Sequence, residues 1–522
     1  MNFIKGILMI ILICCCFSFY SRAQQYYNVM TYGAKNDSSK ICTKAISDAI
    51  NAASKKGGGT VYFPAGKYLT GPIHLKSNIT ILIDAGAELH FSDNFDDYLP
   101  MVPSRFEGTT VNSFSPLFYA YKAENITITG RGIINGHGQK WWAMLYKLMD
   151  KNNTERTKWQ DEFAKKNKDA IRPEEPSTFD RGFLRPPFIQ PMFCKNVLVE
   201  GITIINSPFW TVNPEFCENV TVTGVTIANP KSPNTDGINP ESCKYVHINN
   251  CHISVGDDCI TIKSGKDIDG RKLAVPAENY TITNCTMLAG HGGVVIGSEM
   301  SGDVRKITIS NCVFDGTDRG IRIKTARGRG GIVEEVRVDN IIMKNIKEQA
   351  VVLDMKYTKA APEAVSERTP KFRNIHLSNI TGQTKDAIFI NGLEEMPVEN
   401  ITFNDIQFDA QRGVTIKEAK NIEFHNVTIT TTEGSALVAE NVNSLTIDNL
   451  KTMRPIAGKP LIDMNNVQDV FVYNCNPVKN TDVFLQLKGN DTKGITIKNN
   501  NFKNVVKPLM KDESVAEKVV VE

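Results

Sequence analysis

The sequence predicts an all-β chain: a right-handed parallel β-helix, or solenoid, with an N-terminal capping helix. Three observations carry this. A short unit, apolar-x-apolar-x-Asn-apolar, recurs at Val246–Cys251, Tyr280–Cys285, Ile307–Cys312, Val336–Ile341, Ile375–Ile380, Ile422–Val427, Leu445–Leu450 and Val470–Cys475. Asp405 takes the Asn place in Ile401–Ile406, Gly takes it in Val197–Ile202 and Val220–Val225, and Ile495–Asn500 is a weaker copy. Within each unit the apolar residues alternate, which is the period of a strand. Copies lie mostly roughly 21 to 29 residues apart, a solenoid spacing. One unit cannot bury its own apolar face, whereas a stack can. Asn or Gly after the strand suits a corner with positive φ, and stacked Asn side chains can hydrogen-bond from coil to coil. The Leu-rich consensus of a leucine-rich array is absent, and Asn-Gly hairpin turns do not separate the strands.

The elements follow in chain order. Lys5, an apolar run from Ile7 to Phe17 and the small residues Ser21 and Ala23 read as a signal peptide over residues 1–23. That run is too short for a membrane span. Cys14, Cys15 and Cys16 invite a lipoprotein reading, but no small residue precedes the first of them, so lipidation is the lesser reading. Residues 24–522 read as a single β-helix domain. Thr43–Ala53 is apolar at helical spacing, and Gly57, Gly58 and Gly59 end that helix before a strand begins at Thr60. The helix would cap the solenoid, which spans roughly residues 60–510, because an open sheet end invites aggregation. Residues 138–187 interrupt the repeat and read as an insertion beside a binding groove. Its Trp141 and Trp142 either stack on a sugar ring or pack against the solenoid.

Composition excludes several classes. A chain of 522 residues would ordinarily suggest several domains, but a solenoid grows in one dimension. The formal charge of +3 falls to near +1 without Lys5 and Arg22, so nothing steers the chain globally toward nucleic acid. Twelve cysteines less three in the leader leave an odd number in the mature chain. Cys251, Cys285 and Cys312 share one repeat position and read as a buried column rather than as disulfides. There is no CxxC pair and no zinc spacing, so no metal and no cofactor is expected.

Four polar clusters stand in order on successive copies: Asn234-Thr235-Asp236-Gly237, Gly256-Asp257-Asp258, Gly290-His291-Gly292 and Arg322-Ile323-Lys324. Asp258–Lys263, Gly292–Gly297 and Arg319–Lys324 align by their apolar pattern. Asp236 and Asp258 then become neighbours on adjacent coils, about 5 Å apart by strand spacing. His291 stands one coil beyond Asp257, and Tyr357 follows Arg322 and Lys324 on the next coil. Three carboxylates this close cannot all ionise comfortably, so one holds a proton beside a base. Glycoside hydrolysis uses such a pair. Arg322 and Lys324 face one side of their strand and would grip an anionic substrate. Any one of these pairs alone is far more often a solvated turn or face; the ordered set is the signal.

The set resembles the polygalacturonase family of glycoside hydrolases, family 28, whose pattern is Asn-Thr-Asp, Asp-Asp, Gly-His-Gly and Arg-Ile-Lys followed by a Tyr. The likeness runs from Tyr32-Gly33-Ala34 to the last motif and fades after about residue 360. It implies inverting hydrolysis of α-1,4-galacturonosidic bonds in pectin, an acidic polysaccharide. It implies Asp257 as general acid, Asp236 and Asp258 as activators of the attacking water, and His291 as the group that tunes or orients the acid. It implies Arg322, Lys324, Tyr357 and Asn234 as substrate-binding residues. A secreted or periplasmic monomer without nucleic-acid or membrane partners is the expectation. The insertion over 138–187 favours exo action. A calcium-dependent pectate lyase, with the three aspartates as the calcium cluster, is the alternative chemistry. A non-catalytic glycan-binding solenoid is the alternative class.

Overall fold

The computed structural model describes residues 26–170, 185–516 and 520–521. The leader read over residues 1–23 lies outside them. Among the described residues no helix is long and apolar enough to cross a membrane.

The chain winds as a right-handed parallel β-helix. The repeat units stack in one ladder whose register is Val197, Val220, Val246, Tyr280, Ile307, Val336, Ile375 and Ile401, coil upon coil. All eight side chains are buried. The alternation therefore does what the pattern implies: every second residue enters a core shared with the coils above and below. A second ladder runs through Thr203–Ile205, Thr226–Ala228, His252–Ser254 and Thr286–Ala289. A third runs through Ile189–Met192, single bridges at Val212 and Ile238, and then Asp258–Ile262, Gly292–Ile296 and Ile321–Lys324.

The corner asparagines adopt the expected left-handed backbone: Asn250, Asn284, Asn311, Asn340, Asn379, Asn426 and Asn449 have φ between 52° and 58°. Their side chains bond between coils, as from Asn340 to Asn311 at 2.8 Å and from Asn449 to Asn426 at 3.1 Å. A second asparagine ladder, not read from the sequence, lies before the strand: Asn125 donates to Asn78 at 2.7 Å, Asn196 to Asn125 at 2.8 Å and Asn219 to Asn196 at 2.8 Å. Cys251, Cys285 and Cys312 are buried free thiols, and Cys194, Cys217 and Cys243 are buried free thiols at another corner.

Helix α1, Thr43–Lys55, buries Ala45, Ile46, Ala49, Ile50 and Ala53 and stops before Gly57 at φ 90°. The first coil begins earlier than the sequence suggests. Tyr26–Asn28 pairs in parallel with Thr60–Tyr62, and Asp37–Ile41 pairs with Gly66–Thr70. These strands lack the asparagine corner, so the repeat pattern does not reveal them.

The insertion decides between the two readings of its tryptophans. Its described part holds α2, Gln139–Met149, and α3, Lys158–Lys166. Trp141 is fully buried against Phe95, Tyr98 and Phe114. Trp142 gives its indole N–H to the Ser207 carbonyl at 3.1 Å. The pair is packing and not a sugar platform, because Trp141 sits on the inward face of α2 with Leu145 and Leu148. The segment also supports an element absent from the sequence reading, an antiparallel hairpin of Val102–Phe106 and Thr109–Ser113. Asn167 after α3 exchanges two hydrogen bonds with the Asn112 backbone, at 2.6 and 2.8 Å.

The ladder makes a stability prediction. Asn196→Ala puts a residue that tolerates the left-handed region less well than Asn at φ 55° and removes two ladder bonds, for a loss of about 1–2 kcal/mol. Asn196→Gly keeps the backbone relaxed and should lose about half as much. Thermal midpoints at one scan rate check this; equal midpoints for both variants would contradict it.

Candidate active site

On the third ladder, Ile238 pairs with Ile260, Ile260 with Val294, and Val295 with Arg322. This is the alignment drawn from the apolar pattern, and it sets Asp236 beside Asp258 on adjacent coils. One oxygen from each of Asp236, Asp257 and Asp258 lies within 4.8 Å of the others. They line a cleft of about 230 Å³ together with Asn234, Lys324 and Tyr357. His291 borders a neighbouring pocket that also reaches Gly256.

The three carboxyl groups are electrostatically unequal. Asp258 is buried, which alone would favour its neutral form, but Lys324 Nζ lies 2.9 Å away and Arg322 NH1 3.6 Å away. The two cations overcome burial and hold Asp258 below the usual carboxylate range. Asp236 is equally buried and its nearest cation, Lys263 Nζ, is 3.9 Å away. Burial first, then the charge of Asp257, pushes the Asp236 carboxyl well up. Asp257 is less buried, and its Oδ1 accepts from the Asp258 backbone N–H at 2.9 Å. His291 Nδ1 sits 3.1 Å from the same oxygen, and the His291 N–H donates to the Asp257 carbonyl at 2.8 Å. That contact with Asp257 raises the imidazole against the opposing effect of burial.

Arg322 and Lys324 share one side of their strand, as the spacing requires, and both approach the Tyr357 ring, at 5.5 and 5.2 Å from its centroid. In the free cleft their first partner is Asp258. Tyr357 is 44% exposed, which leaves its face open to a ligand. Asn234 lines the cleft, and its side-chain oxygen accepts from Arg185 NH2 at 2.9 Å.

Several residues here escaped the sequence reading. Lys263 Nζ binds Glu299 at 2.8 Å and lies 4.6 Å above the Trp210 ring. Arg185 is buried over Phe209, and burial brings its guanidinium down to about 10. Only the register could have suggested Lys263, which pairs with Glu241 and stands in the column that Lys324 continues.

Three carboxylate oxygens within 4.8 Å would suit a divalent cation by number. Lys324, Arg322 and Lys263 already supply positive charge at those oxygens, so the donor set does not fit a calcium centre. The Asp257–His291 contact is checked by histidine NMR. Asp257→Asn should move the His291 titration downward, toward the ordinary value of about 6.5. An unmoved His291 would contradict the contact.

Comparison with known proteins agrees with this geometry. Residues 174–424 match glycosyl hydrolases family 28, and residues 26–178 match rhamnogalacturonase A/epimerase, pectate lyase-like. The chain is 32% identical over 330 residues to a probable polygalacturonase from Vitis vinifera, spanning 61% of this chain and 61% of that protein. It is 30% identical over 395 residues to an endo-polygalacturonase from Pectobacterium carotovorum subsp. carotovorum, covering 74% of this chain and 89% of the relative. Among solved structures, a hyperthermoactive exopolygalacturonase from Thermotoga maritima superposes with a TM-score of 0.70 at 36% identity, over 77% of this chain and 91% of that one. A family 28 exopolygalacturonase from Yersinia enterocolitica gives 0.70 at 25% identity, over 83% and 79%. At 30% identity to a relative covered over 89% of its length, and with residues 174–424 matching the family model, the chain belongs to glycosyl hydrolases family 28.

Proposed function

We propose that this enzyme hydrolyses α-1,4-galacturonosidic bonds of pectin with inversion, and that it removes single galacturonic acid units from the non-reducing end. The observation that carries the hydrolytic reading is the unequal trio of carboxyl groups. Asp258 is held ionised by Lys324 and Arg322, while burial and the charge of Asp257 push the Asp236 carboxyl well up, so the trio shares one proton. Asp257 is the general acid. A sugar ring over the cleft strips water from it and draws the shared proton onto it, and the acid then protonates the leaving oxygen. Asp236 and Asp258 hold and deprotonate the attacking water. Their oxygens lie within 4.8 Å, and two hydrogen bonds of about 2.7–2.8 Å from one water span that gap. The usual separation of acid and base carboxyls for inversion is about 6.5–9.5 Å, whereas oxygens of Asp257, Asp236 and Asp258 all lie within 4.8 Å of one another, so inversion rests on the family and not on this spacing. His291 orients Asp257 and tunes its charge through the 3.1 Å contact. Arg322, Lys324 and Tyr357 bind the galacturonate carboxylate and ring, and Asn234 binds beside them. Cleavage of a wall polysaccharide outside the cell would use residues 1–23 as the export signal.

Exo action rests on an observation different from the one that suggested it. Trp141 and Trp142 do not reach the cleft; the hairpin does. Glu107, at the hairpin tip, lines the cleft with Asp236 and Asp257. On the coils up to and including that of Asp236, Gln190, Asn213, Glu215, Asn239 and Glu241 are all 0% exposed. Polar side chains on the outer side of a solenoid reach that burial only when something covers them. The names of the Thermotoga and Yersinia relatives point the same way.

Asp257→Asn should cut hydrolysis of polygalacturonate by about 10²–10⁴-fold while the thermal midpoint stays within a few degrees. Retention of more than half the activity would remove Asp257 from the mechanism. Arg322→Ala and Lys324→Ala should lower kcat as well as raise KM, because each also holds Asp258 ionised. Wild-type kinetics for both on de-esterified pectin would end the clamp assignment. With oligogalacturonate labelled at its reducing end, unlabelled monomer should come first. Early mixed oligomers with a rapid fall in viscosity would overturn the exo reading and leave the hydrolase reading intact.

A further inference from the structure

One column of the third ladder reverses its charge. Its members, in register, are Met192, Glu215, Glu241, Lys263, Gly297 and Lys324. Lys263 and Lys324 line the cleft. Glu241 and Glu215, one and two coils before Lys263, carry the opposite sign and are 0% exposed. A polyanionic chain lying along this column would meet cations on the coils of Asp258 and Arg322 and anions from the coil of Asp236 onward.

The two glutamates are covered by Arg105 of the hairpin. Its side chain is 1% exposed, with NH2 2.5 Å from Glu241 Oε1 and Nε 3.4 Å from Glu215 Oε2. NH1 binds Asp269 of α4, Asp267–Leu273, at 2.9 Å, and NH2 also donates to the Gly108 carbonyl at 2.8 Å. The guanidinium lies 4.8 Å from the Phe216 ring centroid. Next to it, Ser104 donates to Gln190 at 2.7 Å, and Phe106 stacks on Phe209 at 5.1 Å. Buried charges this well shielded are costly unless paired, and breaking such a pair leaves a charge without a partner. A surface hairpin needs no such group merely to fold; this one is fastened down.

We propose that Arg105 is a specificity-determining residue: by pairing with Glu215 and Glu241 it latches the 102–113 hairpin over the outer sheet and ends the groove one sugar beyond the cleaved bond. The glutamates serve as both anchor and stop, since any further galacturonate would have to displace the hairpin and then face two carboxylates. The inference rests on the exo reading above and names the side chains responsible for it.

The test compares wild type with Arg105→Met/Glu215→Gln/Glu241→Gln, which leaves no buried charge unpaired. The substrates are polygalacturonate and digalacturonate. The triple variant should release di- and trigalacturonate within the first minutes, with viscosity loss per bond broken at least about five times that of wild type. Its rate on digalacturonate should stay within about threefold, and protease should cut at Phe106–Thr109 at least about tenfold faster. A folded variant that yields only monomer overturns the latch while the exo reading stands. If the triple variant does not fold, replacing Ser104–Val111 by Gly-Ser-Gly removes the cover and returns the glutamates to water, where Glu215→Gln/Glu241→Gln can be added. Monomer-only product from that enzyme likewise overturns the proposal. Early oligomers from wild type itself would overturn the exo reading and the latch together.

Discussion

The cleft depends on one constraint: the register of parallel strands in a solenoid. Stacking at the strand spacing of about 4.8 Å forces equivalent positions on successive coils into van der Waals range. In the core this lines up Val246, Tyr280 and Ile307 and buries them together. On the outer face the same rule concentrates charge, because Asp236, Asp258, Arg322 and Lys324 have no freedom to avoid each other. A globular fold would spend tertiary contacts to assemble such a group. Here the backbone ladder assembles it, and the energetic question becomes how the charges are balanced.

The balance is struck by unequal neighbours rather than by spacing. Asp236 and Asp258 are similarly buried and differ chiefly in which cation they touch. Lys324 at 2.9 Å fixes Asp258 as an anion, whereas Lys263 is drawn away from Asp236 toward Glu299, 2.8 Å from its ammonium. Glu299 in turn is held well below its ordinary range, where Lys263 and Arg329 overcome its burial. A cation shared with a second carboxylate thus leaves Asp236 under-neutralised, which is what a reversible proton site needs.

How much of this could be read from the sequence follows from the same geometry. The ladder and the motif residues were legible because alternation and corner asparagines repeat, and repetition fixes register. Asp257 beside His291 and Arg322 beside Lys324 came out as aligned. The hairpin was illegible because Val102–Ser113 occurs once and carries no repeat. Arg105 meets Glu241 across 136 positions of chain, and no local pattern links them. The column of Glu215, Glu241, Lys263 and Lys324 was latent in the alignment, since four charged residues at one outward position are unusual. Trp141 stayed ambiguous because an aromatic pair in an insertion suits both a sugar platform and a core, and only burial separates the two.

The central proposal is a direct displacement by water held by Asp236 and Asp258, with Asp257 as acid. Proton NMR of polygalacturonate digestion, recorded before mutarotation equilibrates, tests it most directly. The account predicts that newly released galacturonic acid is the β-anomer, inverted from the α-linked chain. The α-anomer as first product, or an unsaturated product absorbing in the ultraviolet, would contradict it.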